Sequence, residues 1–226
     1  RQKRGLFVKL CVIGGAGARS AFLTKSLVKS ARDIRVDHIV LLDNDQQKLK
    51  TYGEISRELA RRLDPDLTFE VTSDARAALT GVDYIITTIR AGGDAGRLFD
   101  EQTCLAHGVL GQETTGAGGF AMAIRSVPTL VYYCTLAREV ANPGHLIFNF
   151  TNPSGIITQA LRSKGFDNVY GICDAPSGFI KQLEEILEIP YGTLDIECYG
   201  LNHLSWFRNA KVNGRDVQRE LLDNPR

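Results

Sequence analysis

Residues 6–13 read LFVKLCVI and run straight into Gly14-Gly15-Ala16-Gly17-Ala18-Arg19-Ser20, after which residues 22–31 carry apolar side chains at helical spacing. A β-rich run, a glycine turn and a helix, in that order, predict the opening of a βαβ unit. Read as Gly15-x-Gly17-x-x-Ser20, the turn departs from G-x-G-x-x-G only at its last position, where a small Ser still permits close helix–strand packing. Glycine suits such a loop because the chain turns sharply and a pyrophosphate must approach the backbone at a helix N-terminus. A second strand is predicted over 38–42 (HIVLL) and ends at Asp43. That carboxylate is placed to accept from an adenosine ribose 2′-OH, which favours NAD over NADP. Gly14, Gly15, Gly17 and Asp43 are therefore the candidate cofactor-binding residues. The competing reading is an ordinary βα turn, with Asp43 as a helix cap.

The same alternation continues outward. Helical period is predicted over 46–63, stopped before Pro65, over 74–79, and over 120–140 with Pro128 as a kink candidate. Strands are predicted over 69–72, 84–89, 145–150 and 169–173, with helices over 156–162 and 179–187. Beyond Pro190 the pattern loosens into two strands, 194–199 and 204–212, with Asn213-Gly214 as a turn. Strand–helix alternation implies parallel strands joined by right-handed crossovers, hence an α/β, Rossmann-like doubly wound sheet followed by the beginning of a second α+β domain. The expected division is 1–172 and 173–226.

Composition excludes several partners. Lys and Arg number 27 against 26 Asp and Glu, so the net charge is +1 and no basic excess favours nucleic acid or a membrane surface. No apolar run approaches the roughly 20 residues of a membrane span. The basic start, Arg1 to Arg4, lacks a small-residue cleavage site after its apolar stretch. Five cysteines, an odd number spread widely, suit a reducing cytoplasm. His38, His107 and His145 lack motif context and are expected at the surface or in loops.

Three segments set unusual polar residues at predicted strand ends, where open α/β sheets bind ligands. They are Arg90-Ala91-Gly92-Gly93 with Arg97 following, Asn149-Phe150-Thr151-Asn152-Pro153, and Cys173-Asp174, which pairs at a distance with Asn202-His203. Cys173 and His203 offer a thiolate and an imidazole to a divalent metal. Their 30-residue separation has no local ligand spacing, so a small core cysteine and a satisfied polar histidine remain the competing reading.

GQETTGAGGF (111–120), NFTNPSG (149–155), GICDAP (171–176) and GLNHLSW (200–206) together resemble glycoside hydrolase family 4, in order across nearly the whole chain. The resemblance implies a glycosidase that uses NAD and a divalent metal, usually Mn2+, rather than two carboxylates. It implies hydride removal from C3 of the sugar, loss of the acidified C2 proton, elimination of the C1 substituent, water addition and re-reduction. Cys173 and His203 then correspond to the protein's metal ligands and Asn152 to a contact with substrate hydroxyls. Asp174 corresponds to the general acid of the phospho-α-glucosidase branch; its competing reading is a turn or capping carboxylate before a helix near Ser177. Arg90 and Arg97 correspond to substrate-side arginines suited to a sugar phosphate. Glu113 falls in a matching motif near the site and corresponds to a substrate-binding residue that holds a metal-bound water or orients a ligand.

The implied substrate is a phosphorylated disaccharide or glucoside, and the implied assembly a homodimer or homotetramer. GQETTG and NFTNPSG are most similar to the 6-phospho-β-glucosidase branch, whereas Asp174 is more similar to the 6-phospho-α-glucosidase branch; α-galactosidases belong to the same family. The family's general base, a tyrosine, is expected beyond residue 226, so the sequence is expected to be about half of a larger enzyme. Two other readings share the fold. A lactate/malate-type dehydrogenase would need a catalytic His and no metal, and a bare NAD-binding module would bind the dinucleotide without hydrolysis.

Overall fold

Alternation along β1 (Val8–Ile13) decides the architecture. Cys11 and Ile13 are buried on one face of the strand, and Leu10 and Val12 on the other. A strand apolar on both sides must sit in the middle of a sheet covered by helices on both faces. The computed structural model describes residues 8–224; Leu6 and Phe7 of the expected first strand lie outside them.

The first unit runs to Gly171. After β1 come α1 (Ser20–Ser30), β2 (Val36–Leu42), α2 (Gln46–Lys48), α3 (Glu54–Leu63), β3 (Thr68–Thr72), α4 (Ala75–Leu79) and β4 (Tyr84–Thr87). Then follow α5 (Gly93–Ala106), α6 (Gly116–Val140), β5 (Leu146–Asn149), α7 (Ser154–Ser163) and β6 (Val169–Gly171). The six strands are parallel in the order β3-β2-β1-β4-β5-β6. One face packs Ile13, Val40, Ile85 and Ile147 against Leu130 and Ala137 of α6 and Ile157 and Leu161 of α7. The other packs Val12, Ile39 and Leu41 against Val28 of α1 and Ala60 of α3. Each such side chain contributes about 1.5–3 kcal/mol by leaving water. The order reverses between β1 and β4, so a crevice opens beyond the carboxyl ends of these strands.

Several expectations change in detail. The helix predicted over 46–63 is interrupted by a π-turn at Leu49–Gly53, where a Cβ on Gly53 would lie 2.6 Å from Val71 Cγ1. α5 was not foreseen: three glycines in its first turn and just before it (Gly92, Gly93, Gly96) hide the helical period. β4 and β6 stop at Thr87 and Gly171, two residues short of the expected ends, so Arg90 and Cys173 stand on the loops that follow. α6 is, by length and composition, apolar enough to cross a membrane, contrary to expectation. Its Leu130, Cys134 and Ala137 are instead fully or almost fully buried in the core. Pro128 lies inside α6 without ending it. His38 sits within β2, partly exposed, beside Glu70 of β3 at 2.9 Å.

The second unit starts at Ile172. It contains α8 (Ala175–Ile186), β7 (Leu194–Leu201), β8 (Leu204–Val212), β9 (Arg215–Asp216) and α9 (Gln218–Leu222). The strands form an antiparallel sheet in the order β7-β8-β9. Leu194, Ala210 and Val217 are its buried centre, with Ile180 and Leu183 of α8 packed against them. The buried Glu184 carboxylate accepts from the backbone N–H groups of Thr193 and Leu194, at 2.9 and 3.0 Å, and so fixes the start of β7. Asn213 and Gly214 both have positive φ, the geometry of a type I′ hairpin turn.

Candidate functional site

The glycine loop lies at the C-terminal end of β1. Gly14 has φ +87°, and a Cβ there would stand 2.5 Å from the Thr88 carbonyl oxygen; a Cβ on Gly15 would stand 2.8 Å from Leu41 Cβ. These two glycines are demanded by the packing of the sheet itself. Gly17 is different. A Cβ there would meet nothing closer than Ser20 Oγ at 4.0 Å, so the space over Gly17 is open. No side chain caps the N-terminus of α1; Ser20 N–H donates to Gly17 O at 3.0 Å, and the turn that follows faces the open loop, where an anion suits a helix N-terminus. Asp43 Oδ2 accepts from Ala16 N–H and Oδ1 from Asp45 N–H, both at 3.1 Å. The helix cap is Asp45, which accepts from Lys48 N–H, so Asp43 ties β2 to the glycine loop and is not a cap.

Beyond β4 and β5 a buried polar cluster fixes the two strand ends together. Asn149 accepts from Thr87 Oγ1 at 2.8 Å and donates through Nδ2 to Thr151 O, Ser154 O and Thr158 Oγ1. Thr151 Oγ1 accepts from Ile89 N–H at 3.0 Å. Every polar atom of the Asn149 side chain is satisfied, so burial costs little and the geometry is unique. The loops bearing Arg90 and Asn152 leave the sheet from this anchor. Asn152 itself is half-buried and precedes a cis peptide bond to Pro153.

Arg90 and Arg97 converge on Glu113. Arg90 Nη1 is 2.5 Å from Glu113 Oε2, and Arg97 Nε is 3.6 Å from the same oxygen. Arg97 also bonds Glu101 at 2.7 Å, and Arg90 Nε lies 3.6 Å from Asp94 Oδ1. Beneath them is a pair that sequence reading missed. Arg125 of α6 makes a two-pronged bridge to Asp100 of α5 and donates to Ala91 O at 3.3 Å. The Asp100 hydrogen bonds raise the Arg125 guanidinium further above its already high range, outweighing its partial burial. The one signal was a lone Arg among the apolar residues 120–137; its partner lies 25 residues away with no spacing rule to identify it.

In the second unit Cys173 Sγ lies 3.5 Å from His203 Nε2. The hairpin brings this about. Leu201 pairs with Leu204, so Asn202 and His203 form a two-residue turn, and His203 adopts φ +60°. A non-glycine residue held in the left-handed region is uncommon, and such residues cluster at functional sites. Ala175, Pro176, Phe179, Asn202, His203, Ser205 and Phe207 line a pocket of about 230 Å³ beside the pair. Cys11 and Cys134 contrast with Cys173: burial pushes their thiols up to about 12, which leaves them inert core residues. Asp174 stands at the N-terminus of α8 and is exposed, and its carboxylate makes no capping bond; Ser177 Oγ donates to its backbone carbonyl instead.

A strand order of 3-2-1-4-5-6, with a glycine loop after β1, defines a doubly wound α/β protein of the Rossmann type. Residues 9–189 match the family described as Family 4 glycosyl hydrolase, and the chain belongs to that family. It is 35% identical over 219 residues to the 6-phospho-beta-glucosidase BglT of Thermotoga maritima, covering 96% of this chain and 51% of that protein. A solved 6-phospho-alpha-glucosidase from gut microorganisms, in complex with NAD and Mn2+, is 31% identical with TM-score 0.89, over 95% of this chain and 50% of that one. The Thermotoga maritima 6-phospho-beta glucosidase with NAD and glucose-6-phosphate is 32% identical with TM-score 0.88, over 96% and 52%. The chain thus spans about half the length of the relatives it matches. A lactate dehydrogenase from Eimeria maxima, 14% identical with TM-score 0.67, shares the fold alone.

Proposed function

We propose that the chain carries the dinucleotide-binding domain and the metal ligands of a glycosidase acting on 6-phospho-glucosides, with 6-phospho-β-glucosides as the favoured substrates. The observation that carries the reading is the approach of Cys173 Sγ and His203 Nε2 to 3.5 Å, in a chain of this family. When bound, NAD supplies reversible hydride transfer and a divalent metal such as Mn2+ supplies Lewis acidity. The open face of Gly17 and the uncapped N–H groups of α1 fit a pyrophosphate. Asp43 keeps unused lone pairs for a ribose hydroxyl after its two backbone bonds. A thiolate and an imidazole form a donor set suited to a borderline divalent ion. Two protein donors are fewer than the four of a closed structural site, which leaves positions for substrate oxygens in this reading.

In this reading Asn152 bonds sugar hydroxyls, Arg90 and Arg97 take the phosphate, Glu113 lies at the substrate side beside them, and Asp174 delivers a proton to the leaving oxygen. The presence of Asp at position 174, similar to the phospho-α-glucosidase branch, supports a second reading in which the α-anomer is the substrate. Five free cysteines support a reducing compartment, and we assign the protein to the cytoplasm. The exposed Leu98, Phe99, Leu105, Phe120 and Ile124 support association into a homodimer or homotetramer. The test uses the complete protein that contains this chain, with p-nitrophenyl 6-phospho-β- and 6-phospho-α-glucosides. Hydrolysis is expected only when NAD+ and Mn2+ are both present, and faster on the β-anomer. Hydrolysis without either addition, from protein freed of both, would overturn the reading.

A further inference from the structure

The arginine pair assigned to the sugar phosphate is already over-neutralised. Two guanidiniums, Arg90 and Arg97, face three carboxylates, Asp94, Glu101 and Glu113, a formal balance of −1. A phosphate dianion is repelled by that arrangement unless a carboxylate withdraws. The three are not equivalent. Asp94 touches Arg90 alone and its side chain is 96% exposed, so water screens it; Glu101 touches Arg97 alone. Glu113 is shared: the same oxygen stands 2.5 Å from Arg90 Nη1 and 3.6 Å from Arg97 Nε. Its side chain is 21% exposed, the least among the five.

We propose that Glu113 is an internal counter-anion, whose carboxylate holds the place between Arg90 and Arg97 that the substrate's phosphate takes. The inference rests on the reading of Arg90 and Arg97 as the phosphate site. A neutral sugar hydroxyl brings no negative charge to replace that of the carboxylate between the two guanidiniums, so it does not displace Glu113. A phosphate dianion, with three acceptor oxygens, satisfies both arginines and releases the carboxylate to solvent. Glu113 thereby sets a threshold that phosphorylated sugars cross and neutral ones do not.

The experiment measures calorimetric binding of glucose 6-phosphate and of glucose to the complete protein, as wild type, Glu113→Gln and Glu113→Asp. Glu113→Gln removes the competing charge and keeps the shape. Glucose 6-phosphate is expected to bind about tenfold tighter to it, the scale of one partly buried ion pair, while glucose affinity stays within about twofold. Glu113→Asp restores the charge and is expected to return glucose 6-phosphate affinity to within about threefold of wild type. Unchanged or weaker glucose 6-phosphate binding to Glu113→Gln overturns the inference, because Glu113 would then only orient the arginines or touch the ligand. That result alongside retained NAD+- and Mn2+-dependent hydrolysis removes the inference alone. Tightening in a protein that hydrolyses no 6-phospho-glucoside supports the inference and removes the proposed activity.

Discussion

Replacing Cys173 by Ser is expected to lower Mn2+-dependent hydrolysis of a 6-phospho-glucoside by about 100- to 1000-fold, the several kcal/mol that Lewis-acid assistance contributes. The substitution is nearly isosteric. What it removes is the thiolate, since a serine hydroxyl stays protonated at neutral pH and is a poor partner for a borderline metal. The expectation rests on two geometric facts. Cys173 sits on the loop after β6, clear of the core, and His203 is turned toward it by a two-residue hairpin held at positive φ. Cys198→Ser is the control: that thiol is exposed on β7, and activity is expected to stay within about twofold. Mn2+ titrations of both variants check the assignment; unchanged Mn2+ dependence in Cys173→Ser would remove Cys173 from the ligands.

Arg125→Met is expected to destabilise the protein by about 3–5 kcal/mol, because it strands the Asp100 carboxylate in the interior without a partner. Asp100 is the buried member of the pair, its side chain 5% exposed, and both of its oxygens bond the guanidinium. Met fills most of the volume of the Arg stem, so the loss reports the charge rather than a cavity. The clamp also reaches the loop before α5, since Arg125 Nε donates to Ala91 O and the guanidinium packs under Gly92 and Gly96. Losing it is therefore expected to loosen the segment that carries Arg90 and Arg97. Arg76→Met breaks an ion pair of 2.7 Å, to Glu139, but both side chains there are more than half exposed; a cost below about 1 kcal/mol is expected. Urea unfolding of the two variants compares them. Equal midpoints would contradict the structural role given to Arg125.

The centre of the sheet was legible in the sequence because β1 and β2 are buried on both faces. Runs such as HIVLL leave no room for a helical reading once they end in Asp43 or a glycine turn. Legibility failed where packing overrides local preference. The break at 49–53 ends at Gly53, which lies against Val71, a contact between segments that no window of residues contains. α5 was hidden by its glycines: Gly92 and Gly96 lie against Arg125, and Gly93 is held at φ +61°. The candidate site divides the same way. The glycine loop announces itself through strand, turn and helix in sequence order. The Arg125–Asp100 bridge and the Glu113 contacts join residues 16 to 25 apart, and sequence offers no rule for those distances. Cys173 and His203 were legible only through resemblance; by spacing alone they are two unrelated residues.

In the proposed reading hydrolysis proceeds by oxidation and elimination rather than direct displacement. Turnover of a 6-phospho-glucoside deuterated at C2, by the complete protein with NAD+ and Mn2+ in ordinary water, tests it most directly. The glucose 6-phosphate released is expected to have lost its C2 deuterium to solvent; full retention of the label would contradict the account.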